Sequence, residues 1–429
     1  MDSLFKNSKY LLLLVIFFKI QIAWAQEEAL SLEQCQKEVQ ENFPLVKGKE
    51  LLSQSSSLNI ENIKTSYLPR LYANGKLSYQ SDVTGITFPG MATPEAPKDQ
   101  YALNLDVEQL IYDGGKTKNR IQVEEKASEV EIRNLEIQIY QLRERVNAAF
   151  FGIQLVRKSK LVLFDKQKTI SNRLKQIRSA VENGVILPAN LKVMESELLL
   201  IDQQVQELNA HEASSFHILS ELMGRRIDTK TLLKKTSYNE ELADDSNIES
   251  KERPEYQMYS SQKSLLEAQK ELLKKDRYPL ISGFGQLGYG NPGYNQLTDE
   301  FDTYYMLGAK ISWNIFDWKS NRRKQKEMTI RKDIVTTQEL SFSQNQMIEL
   351  GKEYNEIKKF KILLQKDDAI IDLQEEISRS SASQLDNGVI TSSDYLDDLN
   401  KEIQAKLNKE YHLIQLQQSL AEYERIKGI

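Results

Sequence analysis

Few residues in this 429-residue chain are placed to do covalent chemistry. The three histidines, His211, His217 and His412, are scattered, and the pair six apart does not share a helical face. No spacing of His, Cys, Asp and Glu suits a metal. Gly283-x-Gly285-x-x-Gly288 fits a dinucleotide pattern. It stands inside a strand-like stretch, however, not ahead of a helix whose first turn would meet a phosphate. There is no serine–histidine–aspartate arrangement and no phosphate-cradling loop. The expectation is therefore no enzyme, no cofactor and no metal centre.

The side chains with something to do are charges on two-faced stretches. Leu71, Ala73, Leu77 and Tyr79 alternate with Asn74, Lys76 and Ser78. Leu103, Leu105 and Val107 alternate with Asn104, Asp106 and Glu108. Tyr305, Leu307, Ala309, Ile311, Trp313 and Ile315 alternate with Tyr304, Lys310, Ser312 and Asn314. A period of two reads as a strand with one apolar and one polar face. A fourth stretch, 279–289, is glycine-rich and less clear. The face carrying Lys76, Asp106, Glu108 and Lys310 must meet water. The first two strands run about ten residues, the length a tilted strand needs to cross a bilayer. Tyr79 and Tyr101 sit near the loop end, where interfacial aromatics belong.

The elements that position these strands occur twice. Asn183-Gly184-Val185-Ile186 and Asn387-Gly388-Val389-Ile390 each interrupt a long apolar-periodic run, and Gly388 lies 204 residues after Gly184. Asn and Gly tolerate the left-handed backbone that turns one helix back on another. Ile315-Phe316-Asp317 follows Ile111-Tyr112-Asp113 at the same offset, whereas Pro254 lies 210 residues after Pro44. The first long helix has a seam stepping by three and four, Ile132, Leu135, Ile139, Leu142 and Val146 among its members, with a polar lapse at Lys160. That spacing marks a coiled-coil seam. Roughly 65 residues of helix reach ~100 Å.

The expected organisation is as follows. Residues 1–25 form a signal peptide, from Lys6 and Lys9, the apolar run Leu11 to Phe18, and Ala23-Trp24-Ala25. Residues 26–224 form the first repeat, with a hairpin at about 68–112 and a tip at 183–190. Residues 225–253 form a polar linker with possible short helices. Residues 254–429 form the second repeat, with a hairpin at about 278–316 and a tip at 387–394, and no further domain follows. No later stretch approaches the ~20 apolar residues of a spanning helix. Cys35 is the only cysteine, so no internal disulfide forms, and the residues before it do not suit lipid modification. The net charge of −5 is spread out, which gives no basic face for nucleic acid.

Four strands cannot close a barrel alone, and open edges are not tolerated in lipid. Closure therefore needs other copies of the chain, two or three being the simplest solutions.

In this order of elements the chain resembles the TolC family of outer-membrane efflux proteins over essentially the whole mature length. The carriers are Tyr67-Leu68-Pro69-Arg70-Leu71, Ile111-Tyr112-Asp113-Gly114-Gly115, Ile315-Phe316-Asp317-Trp318 and both tips, with Asn190-Leu191 and Asp394-Tyr395-Leu396-Asp397. The resemblance implies a mainly α fold with a four-stranded β contribution. It implies a homotrimer with a shared 12-stranded β-barrel in the outer membrane and an α-barrel of long helical hairpins in the periplasm. It implies passive export of substrates handed over by an inner-membrane pump and a periplasmic adaptor, in a tripartite efflux or type I secretion system. Adaptor contact would fall on Gly184, Val185, Ile186 and Leu187 and on Gly388, Val389, Ile390 and Thr391. Leu187 departs from the hydroxyl usual at its position. Asp394 and Asp397 match the family's entrance-closing aspartates, and Asp398 is an extra. Asp394 reads equally as a helix cap. The cargo is not legible. A periplasmic coiled-coil scaffold outside the membrane is the alternative, and it requires the apolar strand faces to be packed on helices.

Overall fold

A computed structural model of the chain describes residues 29–85, 89–90, 95–236 and 252–429. The expected leader at 1–25 and most of the expected linker lie outside these residues. The chain forms two compact units, Lys47–Glu136 with Pro254–Phe342, and Met1–Val46 with Ile137–Arg253 and Ser343–Ile429. Each unit draws on both sequence repeats.

The first unit holds a sheet of β1 (Arg70–Tyr79), β2 (Asp99–Tyr112), β3 (Leu280–Asn291) and β4 (Asp302–Ser312). Its order is β1-β2-β3-β4, every pair antiparallel. The two hairpins are therefore joined side by side through β2 and β3, leaving β1 and β4 as edges. The alternation of the stretch that forms β4 continues to Ile315, but its pairing stops at Ser312. Helices α1 (Leu32–Asn42) and α2 (Val46–Lys64) are separated by Phe43-Pro44-Leu45. Phe43 is extended, φ −62° and ψ 138°, because the residue before a proline avoids the helical region.

Each hairpin passes into a 67-residue helix, α3 (Lys116–Glu182) or α6 (Ser320–Asp386). An aspartate caps each start. Asp113 accepts the backbone N–H groups of Gly115 at 2.8 Å and Thr117 at 2.6 Å, and Asp317 accepts that of Asn321 at 2.7 Å. The turn that follows is left-handed in both copies. Gly114 and Gly115 supply it at φ 65° and 84°, but Trp318 and Lys319 hold it at 52° and 62°. A bulky residue there is an outlier that the surroundings must hold in place.

The helical unit is completed by α4 (Pro188–Met223) and α7 (Ser392–Lys427). One cluster packs α1 on α3, α4 and α7 through Val39, Val146, Phe150, Phe151, Phe216 and Leu219. Cys35 is fully buried in it, and desolvation first, then the Glu38 charge, push its thiol up to about 12. A second cluster, around Ile170, Ile177, Met194, Ile201 and Leu399, joins the tip-proximal ends of both hairpins. The polar lapse at Lys160 is a layer of charge. Glu212 takes Arg157 at 2.6 Å and Lys160 at 2.6 Å. The described parts of the linker, 225–236 and 252–253, contain no helix. Leu233 instead bridges to Leu30 in parallel.

Candidate functional site: a two-faced sheet and a pair of tips

The register puts most of the apolar residues of all four strands on one side, Phe284 and Met306 being among those on the other. Leu71 faces Val107, Ala73 faces Leu105, Leu105 faces Leu287 and Leu287 faces Tyr305. These residues are open. Leu77 is 79% exposed and Leu307 77%. Along β2 the exposure runs opposite to that of a water-soluble sheet, since apolar Leu103, Leu105 and Val107 are exposed while Gln100, Asn104 and Asp106 are half-buried. A contiguous apolar face of this kind marks an interaction surface or a lipid surface. No helix covers it among the described residues, contrary to what the scaffold reading requires.

Aromatic residues rim the face at both ends. At the loop end Phe301 stacks on Tyr289, with ring centroids 5.5 Å apart, and lies 6.0 Å from Tyr101. At the helix end Phe316 meets Trp318 edge-on at 4.8 Å, and both are exposed. Two aromatic girdles flanking an apolar band are what a membrane barrel places at its interfaces.

The other side is polar and internally bonded. Asp106 accepts from Asn74 on β1 and from Gln286 on β3, each at 2.6 Å. Tyr304 donates to Asn104 at 2.9 Å. Lys76, Glu108 and Lys310 lie on this side and are exposed, with no hydrogen bond or ion pair among the described residues. Gly288 of β3 and Gly308 of β4 belong here too. A Cβ on Gly288 would sit 2.2 Å from the Tyr304 ring, and one on Gly308 2.5 Å from the Phe284 ring. Gly288 and Gly308 make room for aromatic rings across the strands, while Gly283 and Gly285 lie on the apolar side against Ile111 and Leu307, so the dinucleotide-like spacing marks cross-strand packing within a sheet.

The tips are built alike. Gly184 and Gly388 both have φ 70°. Gly184 N–H donates to Val181 and Val185 N–H to Ala180, while Gly388 and Val389 donate to Leu385 and Gln384 in the same way. This pairing satisfies the orphan carbonyls at the helix ends. Asn183 and Asn387 each close their own helix with a side-chain bond of 2.8 Å to the carbonyl four residues back. Val185 and Val389 are left 76% and 71% exposed, while Ile186 and Ile390 turn partly inward.

Beyond the turns the copies differ. Thr391 and Asp394 form a capping box, and the Thr391 hydroxyl and N–H hold the Asp394 carboxyl below the usual carboxylate range. Asp398 is held low by the Ser381 hydroxyl and then by Lys401, at 2.5 and 3.0 Å. Asp397 is exposed and has no hydrogen bond or ion pair among the described residues. Leu187, lacking a hydroxyl, gives α4 no side-chain cap, and Pro188 at the first helical position removes one donor that would need it.

Two links between the hairpins were not legible in the sequence. The Asn190 side-chain oxygen accepts the N–H of Ser392 at 2.9 Å. Arg173 on α3 pairs with Asp386 on α6 and lies 5.3 Å over the Tyr395 ring on α7. The position of Asp386 just before a tip was the only signal for the second link.

Neither a protein-family model nor a curated protein matches the sequence. Solved structures match its fold closely. The Campylobacter jejuni CmeC outer membrane channel aligns with 94% of this chain and 87% of its own, at TM-score 0.65 and 13% identity. CusC, described as forming a transmembrane channel, aligns with 92% of each chain at TM-score 0.68 and 12% identity. The outer membrane protein VceC from Vibrio cholerae aligns with 92% of this chain and 96% of its own, at TM-score 0.65 and 13% identity. The chain therefore has the fold of these outer-membrane channels, mainly helical with a four-stranded antiparallel sheet, as the family resemblance implied.

Proposed function

We propose that this chain is an outer-membrane channel of a tripartite efflux or type I secretion system, a duct that conducts substrates passively and catalyses nothing. The observation that carries this reading is the sheet's inverted exposure combined with its two unpaired edges. Apolar residues are exposed on one face, bonded polar residues lie on the other, and β1 and β4 each have one edge with no partner strand among the described residues. In lipid every backbone group needs a partner. Neighbouring copies satisfy β1 and β4, and three chains of four strands give a 12-stranded barrel. The fold shared with CmeC, CusC and VceC supports the same assembly.

In that assembly Lys76, Asp106, Glu108 and Lys310 line a wet bore. Gly184 and Val185, with Gly388 and Val389, present the flat, exposed ends on which a periplasmic adaptor seats. Leu187 adds an apolar contact where Thr391 adds a hydroxyl. A ring of carboxylates at the entrance repels anions. Asp397, free of a capping partner, is its main contributor, and Asp394 serves chiefly as the cap.

The test is reconstitution into a planar bilayer. Discrete, long-lived conductance steps are expected. A protein that stays in the aqueous fraction without detergent and gives no steps would return the reading to a soluble scaffold.

A further inference from the structure

The start of α6 has a composition that the duct reading does not use. Lys319, Arg322, Arg323, Lys324 and Lys326 put five cations into eight residues, directly after exposed Trp318. All five side chains are exposed. The Arg323 side chain donates to the Trp318 carbonyl at 2.9 Å, and the other four side chains have no hydrogen bond or ion pair among the described residues. Lys116, Lys118 and Arg120 repeat the pattern more weakly at the start of α3. Cations are unfavourable at a helix N-terminus, where the macrodipole is positive. That end is already capped by Asp317, so helix stability does not account for them.

Beside the cluster lies a cavity of about 570 Å³ lined by Arg277, Trp313, Asn321 and Lys324, with Asp276 and Asp317. Both carboxylates are engaged. Asp276 takes Lys116 at 2.6 Å, and Asp317 takes the Asn321 N–H. Arg277 and Lys324 are exposed; the Arg277 charge acts on Asp317, but neither side chain makes a hydrogen bond or ion pair among the described residues. Trp313 donates its indole N–H to the Arg277 carbonyl at 2.9 Å, which fixes an aromatic wall next to the guanidinium. Trp313 and Ile315, which continue the apolar alternation of β4, also line the cavity, and exposed Phe316 and Trp318 follow them in the chain.

We propose that this collar binds the phosphate headgroups of anionic membrane phospholipids in the leaflet at the helix end of the sheet. The inference rests on the membrane reading above. An apolar band, an aromatic rim and then unpaired lysine and arginine is the sequence of chemistry met on leaving a bilayer through acyl chains, interface and charged headgroups. The left-handed backbone at Trp318 and Lys319 fits the same use. Glycine is the easy choice there, and copy one has it. Copy two instead holds an indole and an ammonium at the point where the rim meets the cations.

The test uses the chain's own fluorescence. Trp24, Trp313 and Trp318 are its only tryptophans, so in a W24F protein the emission comes from the collar alone. The protein is reconstituted into phosphatidylcholine vesicles doped with the same small fraction of brominated phosphatidylglycerol or brominated phosphatidylcholine. Quenching by the anionic lipid is expected to exceed that by the zwitterionic one roughly fivefold, the enrichment one surface cation provides. High potassium chloride should remove the preference in the unmutated collar. R322Q/R323Q should reduce it, and R322Q/R323Q/K324Q/K326Q should abolish it with quenching by brominated phosphatidylcholine unchanged. Equal quenching by both lipids in the parent would overturn the collar and leave the membrane reading standing. No quenching by either would overturn the membrane reading itself. Loss of the preference on adding inorganic phosphate, at an ionic strength where chloride has no effect, would make this a free-phosphate site and overturn the lipid assignment.

Discussion

Asn190, in the first hairpin, caps the second one, its side-chain oxygen accepting the Ser392 N–H at 2.9 Å. Ser392 is fully buried, so no water can replace this acceptor. N190A should cost about 1 kcal/mol, the usual worth of a cap. N190D should retain it. Amide exchange at Ser392 and neighbouring α7 residues reads the effect locally. Unchanged protection in N190A would remove the bond's assigned role.

The three entrance carboxylates should separate by environment. D397N is expected to lower cation selectivity in single-channel recordings with no change in melting. D394A should destabilise the start of α7, and D394N should preserve it, because an amide oxygen still accepts the Thr391 N–H. D398N should loosen the contact to Ser381 and Lys401. Equal loss of selectivity from all three substitutions would contradict the division into ring, cap and pair.

Glu212 anchors the charge layer between two apolar clusters. Burial raises its carboxyl, but Lys160 and Arg157 outweigh that and hold it below its ordinary 4.5. A lowered carboxylate contributes stability that is fully present above about 4.5. That stability is lost as the pH falls through the lower folded value. Acid unfolding of the helical hairpins should therefore steepen below about pH 4.5, and E212Q should flatten that limb. At neutral pH E212Q should cost about 3 kcal/mol. The cost lies at the low end because Arg157 keeps the Thr229 and Thr231 carbonyls and Lys160 keeps Asn209. Denaturation curves at two pH values check both statements.

Gly290 is the glycine of β3 with no give around it. A Cβ there would lie 2.3 Å from the Tyr101 carbonyl oxygen on the neighbouring strand, whereas one on Gly75 would meet nothing within 4 Å. Overpacking costs about 1–3 kcal/mol even where side chains can move. G290A should sharply reduce the yield of folded, heat-resistant assembly on a gel, and G75A should not. Equal yields would mean that the β2–β3 pairing which joins the two hairpins is looser than the register indicates.

The tips, the long helices and three of the four strands were legible because one local rule set each of them. Gly184 and Gly388 are required by a left-handed turn. The seam from Ile132 to Val146 follows helical period, and β1, β2 and β4 alternate. β3 was obscure because Gly283, Gly285, Gly288 and Gly290 carry no side chain to alternate. Their reason is across the sheet, in Leu307, Tyr304 and the Tyr101 carbonyl. Lys160 read as a lapse because its partner Glu212 is 52 residues away on the return helix. The Asn190 bond was hidden because its partner, Ser392, lies 202 residues away in the other hairpin. The basic run at 319–326 was passed over because only the sheet beside it gives it a surface to face.

The central claim is that β1 of one copy pairs with β4 of the next. Within one chain these edges are three strand spacings, about 14 Å, apart, beyond the reach of a disulfide. In a C35S background, one cysteine at Asn74 and one moved along successive residues of β4 should cross-link in detergent at one favoured register. The account predicts a non-reducing ladder that ends at three chains. Monomers alone at every register would contradict it.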